Sequence, residues 1–257
     1  MPAPEVLSLL LADSRTPTGG YAHSGGLEPA VAAGLSAVEV PAFLSARLET
    51  VAFVDAAFAA AACAAVASAA ARPSAPVTGV RSTALRELLV LDDELAARVT
   101  SAPQRAGLRQ LGRALLRLGA RLWPEASQLA AYHRKSAWTP RPVALGALAA
   151  SAGLTAVEAA RLSLYEDAAG VAAAAVKLVP LDPGEATAWV AASAERIDAL
   201  AEAAARTIEP PPAPAHLPIG AVVLGPAAAR ALPATSTPLL DLRSLDHERL
   251  PGRLFVT

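Results

Sequence analysis

Apolar residues recur at three- and four-residue intervals along most of the chain, the spacing that aligns side chains on one face of an α-helix. Pro4 to Leu11 predict a short first helix over 4–12, with Pro4 in its first turn. Pro17 and the glycine pairs Gly19-Gly20 and Gly25-Gly26 interrupt the pattern and predict a loop. A short helix over 27–33 is expected to stop at Gly34. Ser36-Ala37-Val38-Glu39 is a capping-box pattern. Behind it Val40, Leu44, Leu48, Val51, Val54 and Phe58 predict one long helix, ended by Arg72-Pro73-Ser74-Ala75-Pro76.

A second helical hairpin follows. Residues 81–99 carry Leu85, Leu88, Leu89, Leu91 and Leu95. Ser101 caps the next helix, whose Leu108, Leu111, Leu115, Leu118 and Leu122 are expected to face a core. Gly112 and Gly119 on that helix predict close contact between helices. A short helix over 125–133 and a rigid connector, Trp138 to Pro142, lead to an apolar helix over 143–152. Thr155-Ala156-Val157-Glu158 is a second capping box. It opens a helix with Val157, Leu164, Val171 and Leu178 at seven-residue intervals, expected to be central and the most buried. After Pro180, Asp182 caps a helix running to about 206. Residues 209–218 hold five prolines and read as a linker, with a short alanine-rich helix around 220–231. The hydrophobic pair Leu254-Phe255 near the end of the 233–257 tail predicts docking rather than fraying.

Alanine supplies much of the 54% apolar content, and aromatics make up only 4%. That composition favours an all-α, single-domain bundle of about eight to ten helices with a docking C-terminal tail. The divisions expected are a helical core over 1–208, a linker over 209–218 and a C-terminal helix and tail over 219–257. A net charge of −1 supplies no global field for nucleic acid. Cys63 is the only cysteine, so no intramolecular disulfide can form. No signal peptide is read at the N-terminus. The stretch 51–71 has the length of a membrane span but contains Asp55 and much alanine, and is expected to be a buried helix.

Candidate chemistry is sparse. His23, His133, His216, His247 and Cys63 are scattered without metal-ligand spacing, so no single-chain metal site is expected. The glycine stretch lacks both the P-loop and the dinucleotide pattern. His23 and Ser24 are adjacent but have no orienting acid, which argues against a hydrolase. Glu166 and Asp167 diverge by about 100° on a helix. One is expected outward and the other paired with Arg161 or Lys177. Arg105, Arg109, Arg113, Arg117 and Arg121 wind around one helix, either as a solvated face or as a surface for an anionic partner. Tyr21 and His23 are either displayed by the glycine loop or packed into its own core. These features favour an interaction protein over an enzyme.

Four blocks carry a family resemblance. Leu11 to Glu28, through Asp13-Ser14-Arg15-Thr16-Pro17-Thr18-Gly19-Gly20-Tyr21-Ala22-His23-Ser24-Gly25-Gly26, resembles the hallmark loop of the urease accessory protein UreF family. Leu108 to Leu116 looks like that family's mid-chain glycine helix, and Val171 to Leu181 like the end of its central helix. His247-Glu248 with Arg253-Leu254-Phe255-Val256-Thr257 is similar to its terminal motif, although many relatives end in serine. The resemblance implies an all-α cytoplasmic chaperone and adaptor for nickel insertion into apo-urease. Such proteins pair with UreD (also called UreH), recruit the GTPase UreG and form a homodimer within the complex. No cofactor, nucleic acid or membrane is implied. The partner-binding or conformational residues carried over are Gly19, Gly20, Tyr21, His23, Ser24, Gly26, Glu28, Lys177, His247, Arg253, Leu254 and Phe255. Among them Tyr21 and Arg253 match positions tied to assembly of the complex, and Lys177 a lysine tied to coupling with the GTPase.

Overall fold

The computed structural model describes residues 3–16, 20–70, 77–208 and 225–256. Gly19 and the proline-rich 209–218 stretch lie outside them. Among the described residues the chain is all-α, with thirteen helices and no strand. They are α1 (Pro4–Ala12), α2 (Leu27–Ala32), α3 (Val40–Glu49), α4 (Val51–Ala70), α5 (Val77–Ala96), α6 (Ala102–Leu122) and α7 (Ser127–Lys135). They continue with α8 (Arg141–Ser151), α9 (Ala156–Leu178), α10 (Pro183–Ala192), α11 (Ala194–Arg206), α12 (Pro226–Arg230) and α13 (Pro238–His247).

The hub is α4, which packs against α5, α8, α9 and α11. Thirteen of its twenty residues are buried, against ten of twenty-three in α9, so α9 is not the most buried helix; α4 and its neighbour α8, with eight of eleven buried, both exceed it. Small side chains make this packing possible. A Cβ on Gly146 of α8 would lie 2.1 Å from the Ala59 carbonyl oxygen, so α4 and α8 meet nearly backbone to backbone. By length and composition the segment Ala37–Ala70 is apolar enough to cross a membrane, but 67% of its most apolar window is buried inside the bundle.

Two long helices anticipated from periodicity are broken, which raises the helix count. Thr50 separates α3 from α4 at φ −118° and ψ −99°. Its hydroxyl donates to the Ala46 carbonyl at 2.7 Å, and its own carbonyl accepts from Thr235 Oγ1 at 3.1 Å. The C-terminal segment thus satisfies a group that the bend exposes. Ser193 similarly separates α10 from α11. The local start signals hold: Glu39 accepts from Ser36 N at 2.9 Å, Glu158 from Thr155 N at 2.7 Å, and Asp182 from Gly184 N at 2.6 Å.

On α6 the core face is narrower than the leucine spacing suggests. Leu111 and Leu115 are buried, Leu108 and Leu118 half-buried, and Leu122 exposed at the helix end. Gly119 does abut a helix, through Leu148 of α8. Gly112 instead abuts the connector, where an added Cβ would meet the Thr139 carbonyl oxygen at 2.0 Å.

Candidate functional site: the glycine loop and the C-terminal strap

The loop after α1 is tied at its start by local bonds. Asp13 accepts from the Arg15 backbone N at 2.9 Å and from its guanidinium at 2.6 Å. Those bonds lower the Asp13 carboxyl to about 2. Thr16 is buried and donates to the Leu10 carbonyl at 2.7 Å. A short 3-10 turn, Gly20–Ala22, then presents Tyr21 with 66% of its surface exposed. Of the two expectations for this pair, Tyr21 follows display and His23 follows packing. His23 is half-buried, and burial, then the Arg141 charge, pushes its imidazole down to about 4. Ser24 is buried and accepts from Glu28 N at 3.3 Å. Gly25 and Gly26 take φ +63° and +85°, a left-handed backbone that disfavours other residues. This sharp reversal starts α2 with Glu28 in its first turn.

Behind the loop lies a cleft of about 670 Å³ whose lining includes His23, Arg47, Asp55, Arg141, Asp167 and Lys177. Arg47 of α3 grips Asp167 of α9 with two nitrogens and donates to the Gly25 carbonyl at 2.5 Å. Arg141 of α8 pairs with Glu166 at 2.5 Å. The expectation that one of Glu166 and Asp167 faces outward is therefore corrected. Both are largely covered, because α9 is packed on several sides by α3 and α8. Arg161 pairs with Asp198 instead, and Lys177 lies over the Phe255 ring, 5.1 Å from its centroid. Asp55 stands among these charges. Burial pushes its carboxyl up to about 7, with Arg141 and Arg47 opposing and Asp167 reinforcing the shift.

The C-terminal residues lie across the same loop. The Glu28 carboxylate accepts from Leu254 N at 2.6 Å and Phe255 N at 3.2 Å. Its second oxygen also meets His247 Nε2 at 2.6 Å. A carboxylate only accepts, so the ring nitrogen donates there. Val256 N donates to the Ala22 carbonyl at 2.8 Å, closing the strap over the 3-10 turn. The side chains of the strap divide: Phe255 is 5% exposed, while Leu254 and Val256 are 66% and 48% exposed. Leu254 and Phe255, read together as a docking pair, thus split between solvent and the chain's own core. Arg253 is exposed.

Glu28, His247, Phe255 and Lys177 are thereby brought together with the loop. Helix α13 was not anticipated, although Thr237-Pro238 before leucines at three-residue spacing is a legible start signal. It buries Leu240, Ser244 and His247 and leaves Leu239, Leu242 and Leu245 exposed. Sequence reasoning also missed Arg47 and Arg141. Among the described residues no group of three or more His, Cys, Asp or Glu side chains is placed to hold a metal ion.

These features coincide with a family relationship. The UreF family profile matches residues 35–194. A protein described as urease accessory protein UreF from Mycobacterium sp. (strain JLS) is 37% identical over 199 residues, covering 77% of this chain and 83% of the relative. The protein of that description from Mycolicibacterium vanbaalenii is 35% identical over 182 residues, covering 70% and 76%. That from Mycobacterium tuberculosis is 34% identical over 190 residues, covering 70% and 75%. The chain belongs to the UreF family. It is thus a urease accessory protein by family, and that family is not named for a catalytic activity of its own. The all-α fold agrees with the expectation drawn from the hallmark residues. The profile begins after the glycine loop and ends before the strap, so the geometry of those two segments adds to it.

Proposed function

We propose that this UreF-family protein is a cytoplasmic adaptor in nickel insertion, carrying no catalytic activity or resident cofactor of its own. In this reading it binds UreD and the GTPase UreG, acts on apo-urease as a homodimer, and regulates GTP-dependent metallocentre assembly. Nickel is the cargo of that assembly. The observation that carries the reading is the strap: one buried carboxylate, Glu28, joins the loop that displays Tyr21 to a tail that displays Leu254 and Val256. Beside the strap, α13 exposes Leu239, Leu242 and Leu245 with 53%, 61% and 46% of their surfaces free. Contiguous exposed leucines of this kind mark protein contacts. UreD is assigned to the α13 and strap surface, and UreG to the Tyr21 and Arg253 side.

The test is co-expression with cognate UreD and UreG, followed by size exclusion with and without a GTP analogue and nickel. A ternary complex is expected, lost in Leu242→Asp for UreD and in Tyr21→Ala for UreG, with helicity unchanged. Both positions are exposed, so the variants fold. No complex under any condition, with all partners shown to be folded, would overturn the adaptor reading.

A further inference from the structure

Helix α6 contains no carboxylate in its twenty-one residues, and α7 contains none in its nine. The two helices pack together and present Arg109, Arg113, Arg117, Arg121, Arg134 and Lys135. Arg113 alone is half-buried, and the other five are exposed. Arg105 leaves the row: it turns back to donate to the Val99 carbonyl at 2.6 Å and the Thr100 carbonyl at 3.0 Å. Among the described residues none of the six forms an ion pair. The faces of the two helices merge, because Arg113 and Arg117 of α6 act on His133 of α7, adding to burial in lowering its imidazole.

Local helix physics does not account for the row. Cations in a last turn answer the helix dipole, which covers Arg121, Arg134 and Lys135. Arg109, Arg113 and Arg117 lie beyond its reach. Like charges four residues apart oppose helix formation. We infer that the α6–α7 face is a docking surface for an acidic face of a partner protein. Guanidinium forks fit paired carboxylates, and the row from Arg109 to Arg121 is about 18 Å long at helical rise. The chain carries a net charge of −1 with these six cations included, so the rest of the chain is net negative. A long polyanion would overrun the row onto that remainder, whereas an acidic protein patch ends with the row. A lipid surface needs apolar anchors between the cations, and Gln110 and Ala120 stand there instead, with Leu122 exposed only at the end of α6.

The choice of probes rests on the adaptor reading. Full-length wild type is compared with a variant carrying Gln at Arg109, Arg113, Arg117 and Arg121, and with one carrying Lys there. Binding to purified cognate UreD, UreG and apo-urease is measured at about 0.01 M and about 0.15 M ionic strength. The Gln variant should bind one of the three at least about tenfold more weakly at low salt and lose most of the salt dependence. The Lys variant should keep that salt dependence. A Gln variant that matches wild type for every partner overturns the assignment alone. A short DNA duplex bound by wild type more tightly than any of the proteins, and released by the Gln variant, also overturns it by making the face a nucleic-acid surface. Wild type that binds none of the three overturns this assignment together with the adaptor reading.

Discussion

Replacing Glu28 with glutamine tests the strap at its most concentrated point. The carboxylate receives three donors: Leu254 N at one oxygen, Phe255 N and His247 Nε2 at the other. Glutamine keeps the shape but presents one oxygen and one NH2 group. Whichever way it is turned, an NH2 faces at least one donor, so a buried N–H loses its acceptor. An unsatisfied buried donor costs about 1–3 kcal/mol, and alanine, which removes all three acceptor contacts, should cost more than glutamine. The strap can open without the bundle, because α13 packs chiefly on α2 and α6 and not on the α4 hub. The loss should therefore appear as local opening rather than as a fall in global stability. Amide hydrogen exchange at Leu254 and Phe255 is the assay. A loss of 1.4 kcal/mol is about tenfold in the opening equilibrium. Those two amides should thus exchange about tenfold faster or more in Glu28→Gln, with α4 and α8 unchanged. Unchanged protection at Leu254 and Phe255 in both variants would refute the argument that Glu28 holds the strap.

Three further outcomes follow from the packing and the charges. Gly146→Ala places a Cβ 2.1 Å from the Ala59 carbonyl oxygen, so overpacking should lower stability by about 1–3 kcal/mol despite alanine's helix preference, as read by urea denaturation. Tyr132→Phe removes the buried hydroxyl that donates to Asp92 at 2.5 Å and should cost about 1–2 kcal/mol in the same assay. Burial pushes the Asp55 carboxyl up from its ordinary 3.8 to about 7, so between those pH values the folded state binds more protons than the unfolded one. Its contribution to stability therefore falls as pH rises through that window, while His23, depressed to about 4, contributes in the opposite sense between about 4 and 6.5. Asp55→Asn should gain stability relative to wild type as pH rises from about 4 to about 7 and level off above, and a pH-independent difference in paired melts would rule this out.

Local chemistry made most of the fold legible. The capping boxes at Ser36 and Thr155, the Asp182 cap, and the stops at Gly34 and Gly153 depend on residues within a few positions of one another, and all lie at helix ends in the structure. The breaks at Thr50 and Ser193 were hidden because the apolar periodicity runs through them unchanged. The Thr50 bend is supported by Thr235 and Thr237, which reach it from 185 and 187 positions away. The ranking of α4 below α9 had a related cause. Heptad leucines and valines look more buried than alanines, yet alanines are what allow four helices to close around α4.

The site was legible in position but not in wiring. Four glycines around Tyr21 announce a displayed turn, because few other residues tolerate the backbone found at Gly25 and Gly26. What fixes the turn is polar and distant: Arg47 meets Asp167 across 120 positions, and Glu28 meets Leu254 across 226. No periodicity encodes such pairs, since each partner is an ordinary charged residue on its own helix. The arginine row shows the converse. Its spacing is evident in the sequence, but only the fold separates Arg105, turned back to the Val99 and Thr100 carbonyls, from the outward members that share a face with α7. A charged pattern thus becomes an argument about a partner only when the structure has shown which of its members have no use for their charge inside the chain.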